Sequence, residues 1–340
     1  MNIISKKKPF FAIKSFLYDY LAKYERISHL PLQYSDLLRY TDAFPFIDKK
    51  GNDTLWESVV YPPYLMQELN TQLIEIYSLL KTGGDVSVIE HLYIDRIDYC
   101  TFGNSNPFRI RVMNHFNDNY DYFYVKKGDA SRIYGLELEH ILSPNRINYF
   151  VYDQTLIEEH IAGIPGDEFI KSGLDRPSLN KVRIAKEFVK FNERCFVRLL
   201  GDMRAYNYVI VITPDFEEEQ YRVRAIDFDQ QCYEGKKNNY LPQFFKDNNA
   251  VVALCTNKLA PETVRQYQFE ERTLMGRRYK AAHERIADLM QSIEQDDIST
   301  PKKFAQLRSE LATHHQKSEF KKATSMGILL HLHLEAMLVK

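Results

Sequence analysis

Cysteine is sparse and scattered: Cys100, Cys195, Cys232 and Cys255 are the only four in 340 residues. None is paired at metal-ligand spacing, which argues against a zinc site, and nothing suggests a disulfide framework. Net charge is lacking as well, since 45 Lys plus Arg meet 46 Asp plus Glu to leave −1. General nucleic-acid binding needs a basic surface, and this balance argues against it. Lys6–Lys8 stand near the start, but no long apolar run follows them. Neither a signal peptide nor a membrane span is therefore expected, and the cytoplasm is the expected compartment. Internal repeats and low-complexity segments are absent too.

What remains is an ordinary globular composition, 44% hydrophobic and 27% charged. A chain of this length can bury a sizeable core as two domains or one two-lobed unit. Its 23 Tyr and 21 Phe are dispersed, as core packing requires. Helical spacing of apolar residues marks 9–25 and 64–81, the second stopped by Gly83 and Gly84. Between them 26–62 reads as irregular, punctuated by Pro31, Pro45, Pro62 and Pro63. Residues 1–85 thus read as a helical N-terminal extension.

From Val86 the period changes to that of strands. Ile89–Cys100, Phe108–Phe116 and Tyr122–Lys126 alternate, with turns at Gly103–Pro107 and Asn117–Asp121, giving an antiparallel meander. A helix is expected over 131–142, where Glu137 shares a face with Ile133, His140 and Ile141. Ser178 can cap a further helix over 179–194. Beyond residue 229 the chain reads as helical over 261–294, 302–316 and 320–338. His331 and His333 point to different faces of a helix, and His314 and His315 are adjacent, so all four read as structural or surface histidines rather than metal ligands.

The centre of the chain is Leu200 to Asp229, LGDMRAYNYVIVITPDFEEEQYRVRAIDFD. Tyr208–Thr213 and Tyr221–Ile226 are rich in Val, Ile and Tyr, and Pro214–Gln220 between them favours a turn, so the pair reads as a β-hairpin. Asp202 and Asn207 stand before the hairpin and Asp227 after it. A hairpin brings its open ends together, so the three groups should converge. Their oxygens suit a hard cation such as Mg²⁺.

This pattern, GDxxxxN, strand, turn, strand, IDFD, resembles the protein-kinase-like superfamily, most of all its aminoglycoside-phosphotransferase branch. The resemblance covers about residues 86–235. It implies an α+β, two-lobed fold: a small antiparallel-sheet lobe at 86–162 and a mostly helical lobe at 163–340, preceded by the helical extension. It further implies ATP and Mg²⁺ as cofactors and a hydroxyl group, its bearer unidentified, as acceptor. Asp202 would be the base and Asn207 and Asp227 would hold the metal. Lys126 would contact the phosphates and pair with Glu137, with Glu139 as the other candidate. Gly103 marks the turn where a phosphate-covering loop belongs, and the peptide groups of Glu158, Glu159, His160 and Ile161 would face adenine as a hinge.

Three departures from the family pattern stand out. Leu200 replaces a frequent His, Asp229 replaces the Gly of the metal motif, and the Gly-rich loop is degenerate with no Ala-Pro-Glu segment following. Two classes of function follow. One is a phosphotransferase. The other is a pseudokinase, a nucleotide-binding or protein-interaction scaffold that uses its helical extensions to hold a partner.

Overall fold

The computed structural model describes residues 7–48, 51–85, 89–216 and 218–339. Lys6 and Val86 lie outside them. The fold is α+β, and the chain divides into two compact units, Met1–Asp129 with Ile147–His160, and Ala130–Arg146 with Ile161–Lys340.

The first unit is built on a seven-stranded antiparallel sheet in the order β1-β2-β3-β4-β5-β7-β6. Its strands are β1 (Asp42–Ile47), β2 (Asp53–Val60), β3 (Leu92–Tyr99), β4 (Phe108–Asn114), β5 (Tyr120–Lys127), β6 (Tyr149–Tyr152) and β7 (Thr155–Glu159). Helix α1 (Ser15–Lys23) precedes them, and α2 (Pro63–Thr82) supplies Leu65, Leu69, Leu73 and Ile76 to a core shared with Ile94, Ile110 and Phe123. The meander β3–β4–β5 runs where strand alternation puts it. Two expectations fail. Residues 1–85 are not a separate helical extension, because β1 and β2 complete the same sheet. Pro45 hid β1; an edge strand tolerates proline, and the ladder shifts register between Pro45 and Ile47. The first helix is also shorter than 9–25, since residues 9–14 are not helical.

The second unit is mostly helical: α3 (Ala130–Leu142), the short α4 (Gly166–Glu168), α5 (Lys181–Arg198), α6 (Asn249–Lys258), α7 (Pro261–Ala281), α8 (His283–Glu294), α9 (Pro301–His315) and α10 (Met326–Leu338). A three-stranded sheet, β10-β9-β8, joins them, with β8 at Ile164–Pro165, β9 at Tyr208–Pro214 and β10 at Glu219–Ala225. The expected hairpin is β9–β10. Asn180 caps α5, its side chain accepting from Arg183 N at 3.1 Å, so the helix starts after the expected Ser178 cap. Val182 in its first turn is 47% exposed, while Ile184, Ala185 and Phe188 are buried. The segment 261–294 is two helices, broken at Ala282.

Helices α8 and α10 meet backbone to backbone. A Cβ on Gly327 would stand 2.3 Å from Ile293 O, and a helix carbonyl cannot give way as a side chain can. Gly327→Ala should cost roughly 1–3 kcal/mol by overpacking, read as a lowered urea midpoint at unchanged slope.

Histidines knit α9 to α10. His315 Nε2 lies 2.8 Å from His333 Nδ1, and His333 Nε2 lies 3.0 Å from Phe196 O. The carbonyl can only accept, so His333 donates through Nε2–H and receives the proton of His315 at Nδ1. Burial holds His333 down at about 3 and His315 at about 4, and the nearby charges of Lys237 and Lys317 push His315 the same way. The unfolded chain titrates these rings near about 6.5, so between that pH and the lowered folded values it binds more protons, and stability falls as pH falls. The contribution of the neutral pair is full above about pH 6.5 and is lost as pH falls toward about 4 and then 3. Glu193 works in the opposite sense, its carboxyl pushed up to about 7 by burial, so folding favours its protonated form. His333→Gln should therefore show a smaller drop in melting temperature between about pH 7.5 and about pH 5 than the wild type, which isolates the histidine share.

Candidate active site

The site in the second unit begins where α5 stops. Leu199 takes a left-handed conformation at φ 53°, and Asp202 takes another at φ 56°. Such conformations are uncommon for residues other than glycine and persist only where surroundings enforce them. Here the backbone is laced to the segment after β10. Gly201 N donates to Gln230 O at 3.2 Å, Cys232 N to Leu199 O at 2.9 Å, and Asp202 N to Asn239 O at 3.1 Å. A Cβ on Gly201 would approach Gln230 O to 3.2 Å, so a small residue keeps this turn tight.

From this turn the Asp202 side chain projects, one-third exposed. Its Oδ1 accepts from Arg204 Nε at 2.9 Å, and Arg204 reaches on to Asp247 at 3.3 Å. Burial raises the Asp202 pKa above the usual aspartate range, with Arg204 opposing the shift and Glu234 and Asp247 adding to it. The result is a carboxylate more basic than a free aspartate, beside a cation that favours its ionised form.

Asn207 is buried, and its Nδ2 donates to Asp202 O at 2.7 Å. That bond sets the amide orientation and turns Oδ1 away from the carbonyl. Asn207 O in turn accepts from Ile226 N at 3.0 Å, closing the hairpin one residue before Asp227. Asp202, Asn207 and Asp227 are thus drawn to one end of β9–β10. Asp227 Oδ1 accepts from Asp229 N at 2.9 Å and from Arg132 at 3.0 Å.

Do these donors suit Mg²⁺? Among the described residues no group of three or more His, Cys, Asp or Glu is arranged to hold a metal. Magnesium commonly keeps several waters and binds through one or two protein oxygens plus substrate phosphates. One amide oxygen and one carboxylate fit that use, not a closed protein cage.

In the first unit Lys126 is buried on β5, and its Nζ donates to Glu158 Oε2 at 2.7 Å. Lys127 is exposed on the opposite face, 3.9 Å from the ring centre of Phe10. The pairing with Glu158 has no local signal, since it depends on which residues of β5 and β7 lie across from each other. The hinge expectation needs correcting here. Strand β7 lies between β5 and β6, and Glu158 is paired with Tyr124 on one side and Tyr149 on the other. Glu159 is opposite Phe123, and its N donates to Asn148 O at 3.0 Å. The sheet uses these peptide groups, so backbone donors for adenine begin no earlier than His160, with Ile161 next. His160 is tied at Nδ1 to Tyr124 OH at 3.1 Å.

Gly103 also departs from its expected role. Its φ is not positive, and its carbonyl accepts from Lys7 Nζ at 3.1 Å, as does Thr101 O at 2.8 Å. The turn offers carbonyls to a lysine, which is not the geometry of an amide cradle for phosphate.

Glu137 and Glu139 are both buried on α3. Arg285 of α8 donates to Glu137 Oε2 at 2.7 Å, and Arg198 of α5 is paired with Glu139. Burial alone would raise the Glu139 pKa, but Arg198, Ser143 and Arg194 outweigh it and hold the carboxyl below the usual range.

No protein-family model matches the chain, and no curated relative does. One solved structure similar to it is the autoinhibited serine kinase domain of the giant muscle protein titin, at 13% identity over 69% of this chain and 84% of that one, with a TM-score of 0.25. A likeness at that level says nothing about this chain's chemistry. No helix among the described residues is long and apolar enough to cross a membrane.

Proposed function

We propose that this chain is an ATP- and Mg²⁺-dependent phosphotransferase acting on a hydroxyl group. The observation that carries the reading is the tie from Asn207 to both sides of the site: its side chain bonds Asp202 O while its backbone carbonyl bonds Ile226 N. One small network thereby holds a basic carboxylate beside two oxygen donors of the kind a nucleotide-bound cation uses.

Asn207 and Asp227 would hold the cation, whose contribution is to offset charge on the phosphates. Asp202 would orient the acceptor hydroxyl and take its proton, a role that its raised pKa favours. Lys126 would contact the phosphates, with Glu158 orienting its ammonium. Phosphoryl transfer asks mainly for such positioning and charge neutralisation.

Lys7 on the Gly103 turn favours the second reading, a scaffold that binds nucleotide weakly or not at all. Thermal melts in Mg-ATP separate the two. The wild type should be stabilised by mass action, and Asp227→Ala should lose the magnesium-dependent part of the shift. An unmoved wild type at millimolar Mg-ATP selects the scaffold.

A further inference from the structure

Arg132 is a residue that the resemblance gives no role. It sits in the first turn of α3 with its side chain only 2% exposed. One terminal nitrogen, NH1, donates to Asp227 Oδ1 at 3.0 Å and to Asp229 Oδ1 at 2.9 Å. The other, NH2, lies 3.3 Å from Ile226 O. Next to it Ser131 Oγ donates to Gln231 O at 2.7 Å. One turn on, a Cβ at Gly135 would stand 3.0 Å from Phe228 Cβ. The start of α3 is therefore clamped along the whole segment from Ile226 to Gln231.

A buried guanidinium bridging two carboxylates occupies, in charge and in ligands, the place of a cation. Asp227 and Asp229 together carry two negative charges, and Arg132 offsets one. Oδ1 of Asp227 is also committed twice, to Arg132 and to Asp229 N at 2.9 Å. Kinase sites of the resembled type use two Mg²⁺ ions around this Asp and the preceding Asn. Resting on the nucleotide reading above, we infer that Arg132 stands in for the second of them. The site takes one divalent cation with its nucleotide, and Arg132 is the positioning residue that sets this count.

The count can be read directly, without turnover. Mn²⁺ is titrated into the protein at saturating AMP-PNP, and free Mn²⁺ is followed by electron paramagnetic resonance, with the nucleotide's own share subtracted from a protein-free series. Wild type should saturate at one Mn²⁺ per chain. Arg132→Gln removes the charge and keeps a polar side chain, so Asp227 and Asp229 become available together and a second Mn²⁺ should bind. Arg132→Lys restores a cation and should return the count to one. Were Arg132 merely structural, both variants would lose stability while the count stayed at one, and that result overturns the inference, as does a wild type that binds two. Should Arg132→Gln not fold unaided, the same count is taken on it in a stabilising osmolyte such as sucrose, where two Mn²⁺ are expected and one overturns the inference. A wild type that binds AMP-PNP with no Mn²⁺, or neither, overturns the nucleotide reading itself and this inference with it.

Discussion

Asp202→Asn is expected to cut phosphoryl transfer by ~10²-fold or more, the usual scale for a positioned general base, while leaving Mg-ATP affinity nearly intact. The substitution preserves shape and removes charge. Asp202 is placed by its backbone, through bonds to Asn239 and Asn207 that an asparagine keeps. Its carboxylate contacts Arg204 and no residue assigned to the metal in the bonds described above. Binding and turnover should therefore separate: a dissociation constant for ATP within a few-fold of wild type, against a collapsed single-turnover rate. The wild-type rate should also fall on the acid side with an apparent pKa above that of an ordinary aspartate, because burial raises this group and it must be ionised to act. Loss of ATP binding with residual transfer unchanged would make Asp202 a structural residue.

Arg198→Met is expected to be the most destabilising single change near the site, at ~3–5 kcal/mol, the range for stranding one member of a buried ion pair. Arg198 and Glu139 are 1% and 3% exposed, so water cannot take over from the guanidinium. Glu139 would be left buried with its main counter-charge removed, and it would have to protonate to stay there. The double variant Arg198→Met, Glu139→Gln removes both charges and should recover much of the loss. A double-mutant cycle by urea denaturation reads the coupling. Additive losses in the double variant would show that the pair contributes little.

Local signals made much of this fold readable. Val, Ile and Tyr runs around a Pro-Asp turn identify β9–β10, because cross-strand partners lie a few residues apart and the turn chemistry sits between them. From that hairpin the approach of Asn207 to Ile226 and Asp227 follows by geometry, whereas Asp202 is placed by its left-handed turn and its bonds to Asn239 and Asn207. Other features depend on distant partners. Strands β1 and β2 carry Pro45 and weak alternation, and only the sheet beside them makes them strands. Helix α3 is buried nearly all round, so the face bearing Glu137 could not be singled out from periodicity. Arg132 meets Asp227 across 95 positions, and nothing in SRIYG marks it as the counter-charge of a loop so far along the chain. The peptide groups of Glu158 looked available for a hinge because the sequence does not show that β7 is an interior strand.

A crystal structure with Mg²⁺ and AMP-PNP tests the central claim most directly. One Mg²⁺ should lie about 2.1 Å from Asn207 Oδ1 and from an oxygen of Asp227, and should also bind nucleotide phosphate, with the γ-phosphate facing Asp202. Nucleotide seated elsewhere, or bound with no metal on Asn207 and Asp227, would contradict the claim.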